Sequence, residues 1–256
     1  MKIVTWNVNS VNVRLPNVLK YLTEYQPDIL CLQELKCLEN KYPIAELKEA
    51  GYRTIQSCQK TYNGVSIISK SLGKNIDYNP VYLDKDEKRS IAATYNDIRV
   101  INFYVVNGQS IDSDKYLYKL RWLKKAEKYI KEQLKLYPKL VVVGDFNIIP
   151  NESDAYEYSP DNILCSLKER KALQQIFNLG LIDCFSPNDG ESPYTWWDYR
   201  GGAFHRDIGY RIDLMLSSNN LYKQVSNYQV HKNTRHKSWC EKQPKTSDHA
   251  PVMIEC

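Results

Sequence analysis

Short apolar runs, bounded by Asn, Asp, Gly or Pro and rich in Val, Ile and Tyr, recur along the chain at strand length. They predict strands over Lys2–Val8, Asp28–Gln33, Tyr52–Ser57, Gly64–Ser69, Ser90–Asn96, Arg99–Val106, Lys139–Gly144, Tyr194–Asp198, Arg211–Ser217, Val225–Val230 and Pro251–Glu255. Between some of them the apolar spacing becomes helical. Leu15, Val18, Leu19 and Leu22 make one stripe, with Pro16 suited to a first helical turn. A second helix is predicted from about Ser113 to Tyr137, with Leu120, Leu123, Ile130 and Leu134 toward the core. A third runs from about Ser166 to Leu179, where Gly180 is a natural stop. Strands outnumber helices and the two are interspersed, which predicts an α/β layered sandwich rather than an all-β barrel. No linker, low-complexity run or short-period repeat appears, so a single domain over 1–256 is expected.

Composition narrows the class. With 43% hydrophobic and 25% charged residues the chain is not a wholly disordered one. No uninterrupted apolar stretch approaches the ~18–20 residues of a membrane-spanning helix. The first residues, Met1-Lys2-Ile3-Val4-Thr5-Trp6-Asn7, are broken by Thr5 and Asn7, so they predict a first strand instead of a secretory signal and a cytoplasmic location. Seven cysteines without a CxxC pair argue against a disulfide framework and a zinc site. The net charge of +5 is mild, and suits an enzyme that touches nucleic acid and leaves. The second helix carries Lys115, Lys119, Arg121, Lys124, Lys125, Lys128, Lys131 and Lys135; with Glu127 and Glu132 among them, a solvated face is expected in preference to a phosphate-binding one. Tyrosine is abundant, at 20 residues, and by itself decides nothing.

The chemistry gathers where apolar runs end. Asn7 follows Ile3–Trp6, Gln33 and Glu34 follow Ile29–Leu32, Asp145 and Asn147 follow Leu140–Gly144, and Asp248-His249 precede Ala250–Ile254. A charge beside a buried strand is costly unless a metal, a partner or water satisfies it. Asp145 and Asn147, two apart, share a face in extended chain. Glu34 offers the hard oxygen that Mg²⁺ favours. His249 can donate to a phosphate oxygen, with an acid setting its tautomer. Asp213 alternates with the apolar residues of its run, so it is either catalytic or an acid paired with Arg211 or exposed on a sheet face. Carboxylates, amides and one His, without a zinc-like cluster, GxSxG, Walker A or GxGxxG, point to metal-assisted hydrolysis of a phosphate ester.

These blocks resemble the bacterial exonuclease III and AP endonuclease family of the endonuclease/exonuclease/phosphatase superfamily. The likeness runs through Trp6–Ser10, Leu32–Lys36, Gly144–Pro150, Tyr194–Arg200, Gly209–Asp213 and Ser247–Val252, in the family's order and over essentially the full length. The resemblance implies a four-layered α/β sandwich of the DNase I-like kind, two packed β-sheets flanked by helices. It implies a metal on Glu34 with Asn7 beside it, Asp145 activating or orienting the attacking water, and Asn147 steadying it. Asp248 and His249 match the pair near the scissile phosphate, and Asp213 the acid that orients the histidine. The expected metal set is therefore drawn from Asn7, Glu34, Asp145, Asn147, Asp248 and His249. Tyr104 matches a tyrosine that contacts the phosphate or leaving group, and Trp196 and Trp197 are candidates for packing against an extrahelical sugar or strained duplex. The implied cofactor is Mg²⁺, with Mn²⁺ as substitute. The implied substrate is double-stranded DNA with abasic sites or blocked 3′ ends, cleaved 5′ to the abasic site by a monomer that also has 3′→5′ exonuclease and 3′-phosphodiesterase activity. Whether Asp145 or His249 takes the proton stays open on the sequence. So do two rivals: a superfamily phosphatase acting on a small or lipid phosphate, and an inactive nucleic-acid-binding protein on the same scaffold.

Overall fold

In the computed structural model, which describes residues 1–186, 191–241 and 244–256, the elements follow in the order β1 (Lys2–Asn7), α1 (Leu15–Tyr25), β2 (Ile29–Gln33), α2 (Ile44–Glu49), β3 (Arg53–Ser57), β4 (Val65–Ser69), β5 (Lys74–Tyr78), β6 (Ser90–Tyr95), β7 (Ile98–Tyr104), α3 (Asp114–Leu136), β8 (Lys139–Asp145), α4 (Leu167–Phe177), β9 (Leu181–Asp183), β10 (Asp213–Ser218), α5 (Asn219–Tyr222), β11 (Asn227–Val230) and β12 (Val252–Glu255). The strands form two six-stranded sheets, ordered β11-β12-β1-β2-β4-β3 and β5-β6-β7-β8-β10-β9. Both are mixed: β1 pairs parallel with β2 and β7 with β8, while their other neighbours run antiparallel.

Strand parity explains the layers. In Leu140-Val141-Val142-Val143, Leu140 and Val142 face α3 and α4, whereas Val141 and Val143 face the other sheet. In β1, Ile3 faces the opposite sheet and Val4 and Trp6 face α1. Central strands are thus apolar on both faces, as helices on one side and a sheet on the other require. The result is helix, sheet, sheet, helix: the four-layered α/β sandwich expected from the sequence.

Helix ends follow the local chemistry. The Ser113 side chain accepts from the Tyr116 N–H at the start of α3, and Ser166 with Glu169 closes a capping box on α4. Two expectations need correction, and three elements were not foreseen. The predicted strand Tyr194–Asp198 is part of neither sheet; Trp196 makes isolated bridges to Tyr210 and to His249. Polar β5, three-residue β9 and six-residue α2 carry too short or weak a period to be expected. Lys119 is not on a solvated face: it is 0% exposed and paired with Glu169, because its position falls on the stripe that also holds Tyr116, Trp122, Leu123 and Ala126.

Candidate active site

The same parity that fills the core also aims polar side chains into the space between the sheets. Continuing Ile3, Thr5 leads to Asn7, and continuing Val141, Val143 leads to Asp145. Ile98 and Val100 lead through Asn102 to Tyr104 on β7, and Met215 leads back to Asp213 on β10. Register then lines them up. Tyr104 is the partner of Asp145 across β7 and β8, and Asp213 is the partner of Asp145 across β10 and β8. Gly144 lets β8 come this close, since a Cβ there would lie 1.9 Å from the Phe103 carbonyl oxygen and its φ is +141°.

Two carboxylates opposite each other in a buried row repel unless something separates them. His249 does so. Its Nδ1 donates to Asp213 Oδ2 at 2.9 Å and its Nε2 faces Asp145 Oδ2 at 3.9 Å. Asp213 is held in turn by the Thr195 hydroxyl, which donates to its Oδ2 at 2.7 Å, while Thr195 Oγ1 accepts from the Ile212 and Asp213 N–H groups. Asp213 is 0% exposed, and its Oδ1 has no hydrogen-bond partner among the described residues. Arg211, the alternative partner weighed on the sequence, pairs with Asp154 and Asp183 instead.

Burial opposes charge on His249, but the Asp213 carboxylate beside it, with Asp145 and Asp248 farther off, holds its pKa up at about 10. Burial also disfavours charge on Asp145; His249 lowers its pKa, Asp213 raises it, and the balance leaves it at about 7. At neutral pH the histidine is therefore the proton holder, and Asp145 is poised to accept one. Asn7 Nδ2 donates to Asp145 Oδ2 at 2.9 Å, and the Asn147 N–H donates to Asp145 Oδ1 at 2.9 Å. Asn147 itself is left-handed, with φ +50°.

Glu34 follows β2 with φ +61° and faces a cavity of about 820 Å³ that Tyr104 also lines. Burial raises the Tyr104 hydroxyl pKa, and the Glu34 and Asp145 charges raise it further, so the phenol stays a donor. Lys36 places its ammonium 2.9 Å from Glu34 Oε1 and 2.7 Å from Asn9 Oδ1, so side-chain oxygens already receive a cation here. With no thiolate among them, such hard donors fit a divalent ion that keeps several waters. The six expected metal ligands are not gathered as one cage. Asp248 accepts from Asn9 Nδ2 and Trp196 Nε1, His249 is committed to Asp213, and among the described residues no group of three His, Cys, Asp or Glu side chains is placed to hold a metal ion by itself.

The two tryptophans part company. Trp196 is half-buried, stacked on Tyr210 at 5.5 Å and bonded to Asp248. Trp197 is 0% exposed, with its Nε1 on Asp207 Oδ1 at 3.0 Å and its ring edge-on to Phe204, so it belongs to the core and not to a substrate surface. Sequence reasoning missed Thr195, Asn107 and Arg89. Thr195 stood inside a recognised block but only the fold turns its hydroxyl to Asp213; Asn107 Nδ2 donates to Asn147 Oδ1 at 2.9 Å, and the Arg89 guanidinium lies 4.9 Å from the centre of the Tyr104 ring.

The profile of the family described as Endonuclease/Exonuclease/phosphatase family matches residues 4–249. A Neisseria 3′ phosphatase, solved with a product DNA hairpin, is similar over 100% of this chain and 98% of its own, with TM-score 0.93 and 42% identity. An AP endonuclease from Archaeoglobus fulgidus is similar over 100% of this chain and 98% of its own, with TM-score 0.89 and 35% identity. The exodeoxyribonuclease of Bacillus subtilis is 28% identical over 263 aligned residues, covering 99% of this chain and 98% of its own.

Proposed function

This chain belongs to the endonuclease/exonuclease/phosphatase family, and on that premise we propose that it is a metal-dependent hydrolase of phosphate esters in duplex DNA. Its reaction is cleavage of the P–O3′ bond to leave a 3′-hydroxyl. The same bond is broken in 3′→5′ exonuclease action, in clearing a blocked 3′ end, and in incision 5′ to an abasic site, so one arrangement serves all three. The observation that carries this reading is the buried row Tyr104–Asp145–Asp213 with His249 wedged between the two acids.

Asp145 takes the proton of the attacking water, since it is the group held near neutrality. His249, kept protonated by Asp213, donates to a non-bridging phosphate oxygen and is not the general base. Asn147 Nδ2 spends one N–H on the Val105 carbonyl at 3.1 Å and turns the other to the phosphate. Tyr104 donates its hydroxyl on the opposite side of the row. Glu34 and Asn7 would hold the metal, Mg²⁺ with Mn²⁺ as substitute, which when bound neutralises charge developing on the leaving oxygen. Trp196 stacks on an exposed sugar or base. The names of the relatives support DNA as substrate: a 3′ phosphatase with product DNA at 42% identity favours 3′-end clearing, and an AP endonuclease at 35% favours abasic incision. The seven free cysteines support the cytoplasmic location expected above. The protein acts as a monomer.

The test uses three duplexes, carrying a 3′-phosphate, a recessed plain 3′ end and a single internal abasic site, each with Mg²⁺ and with EDTA. Mg²⁺-dependent release of phosphate, shortening and nicking are expected. No Mg²⁺-dependent cleavage of any duplex, with turnover of inositol phosphates instead, would transfer the site to a small-molecule phosphatase. Loss of the abasic nick alone would confine the enzyme to 3′ ends.

A further inference from the structure

Lys119 has no part in the reaction as described, yet it lies directly beneath it. Its ammonium is 0% exposed and has three acceptors, one for each N–H. One is Glu169, also 0% exposed; the others are the carbonyl oxygens of Asn147 at 2.6 Å and Asn107 at 3.2 Å. Glu169 has no freedom to move away, because its oxygens also accept from the Leu164 N–H, the Ser166 N–H and the Ser166 hydroxyl. One buried cation thus ties together the segment after β7, the segment after β8 and the start of α4.

Those two segments are the ones that hold the Asn147 carboxamide. Asn107 Nδ2 donates to Asn147 Oδ1 at 2.9 Å, and Asn147 Nδ2 donates to the Val105 carbonyl. The left-handed Asn147 backbone, φ +50°, has its carbonyl turned inward onto Lys119 and its N–H onto Asp145. Stability alone does not account for such a pair, since a buried ion pair replaced by neutral groups of similar size often leaves stability unchanged or higher. Only a cation with several donors can hold two carbonyls and a carboxylate at one point. We propose that Lys119, anchored by Glu169, is a positioning residue that fixes the Asn107 and Asn147 carbonyls and so aims the Asn147 carboxamide at the reacting phosphate.

The catalytic half of this proposal rests on the role given to Asn147 above, and the structural half does not. The informative variant is Lys119→Met/Glu169→Gln, which removes both charges together while the glutamine keeps the cap on α4. Its thermal midpoint should stay near that of the parent, its KM should hold, and kcat should fall by about 100-fold, the scale of a misplaced catalytic group. In an Asn147→Ala background the same two substitutions should cause no further fall in kcat. Hydrogen exchange at the amides of residues 105–109 and 145–149 should quicken, whatever the enzyme cleaves. Unchanged kcat in a folded variant, or full additivity with Asn147→Ala, overturns the positioning role. Unchanged exchange overturns the clamp itself. If the neutral pair does not fold, Lys119→Arg keeps the charge but presents a longer planar fork, and wild-type kcat in it would equally defeat the proposal. A parent enzyme without DNA hydrolysis, with exchange still quickened in the variant, would sink the functional reading and leave the clamp standing.

Discussion

Arg211 and Asp213 are two residues apart on one segment, both buried and charged, and they do opposite things. Arg211 is held at all three nitrogens: its guanidinium bonds Asp154 through Nε and Nη2 and Asp183 through Nη1, and it lies 4.3 Å from the Phe185 ring centre. Asp213 shares one oxygen between Thr195 and His249 and, among the described residues, leaves the other without a partner. A charge held at every nitrogen locks geometry. A charge whose capacity is only partly used can respond when a neighbour gains or loses a proton. On the proposed mechanism the first belongs to the frame of the site and the second to its chemistry, although neither burial nor charge distinguishes them.

The sharpest way to break this contrast is at the centre of the row. Asp145→Asn should lower kcat by about 10³–10⁴-fold, the upper range for loss of a general base, with little change in unfolding midpoint. Near-wild-type turnover would remove Asp145 from the role of base. The opposite signature is expected for Arg211→Met. Stranding Asp154 should cost about 3–5 kcal/mol in urea unfolding, while kcat stays within about threefold of the parent. A large fall in kcat with stability intact would reverse the assignment of the two residues.

A pH–rate profile sharpens the comparison further. Activity should rise as Asp145 ionises through about 7 and fall as His249 loses its proton near about 10. Asp213 is the first charge that raises the histidine, and it also raises Asp145, so Asp213→Asn should bring the upper limb down in pH and draw the lower limb down with it. An upper limb that does not move would detach Asp213 from His249.

The smallest expected effect concerns a histidine likewise held at every nitrogen. His231 is buried, accepts from the Tyr21 hydroxyl at Nδ1 and donates from Nε2 to Gln229 Oε1, so its neutral form is fully bonded. Burial lowers its pKa to about 4. Its contribution is therefore intact above the unfolded value of about 6.5 and is lost as pH falls toward 4. Stability measured by urea from pH 7 to pH 4 should decline less in His231→Gln than in the parent, and parallel declines would remove His231 as a source of acid sensitivity.

Much of this molecule is legible in local pattern. The double-sided apolar strands, the capped helices α3 and α4, and the strand-end positions of Asn7, Glu34, Asp145, Asn147 and His249 follow from period and punctuation. These depend on neighbours within a few residues. Short β9 and α2 escape because so few residues cannot establish a period, and Tyr194–Asp198 misleads because its apolar run packs as irregular chain around Trp197.

What the tertiary structure alone decides is pairing. Residue type left Asp213 equally suited to Arg211 or to another partner, and the register of β10 against β8 sets it opposite Asp145. Lys119 and its neighbours Arg121 and Lys124 are alike in sequence, but only the turn of the helix over the sheet puts the ammonium of Lys119 under the Asn147 carbonyl. Trp196 and Trp197 are adjacent and identical, and parity sends one to the site and the other into the core. The sequence by itself determined which chemistry is present and at which strand ends. The fold decided which charges are neutralised, which are left with capacity and which are shut away, because each depends on contacts between residues far apart in the chain.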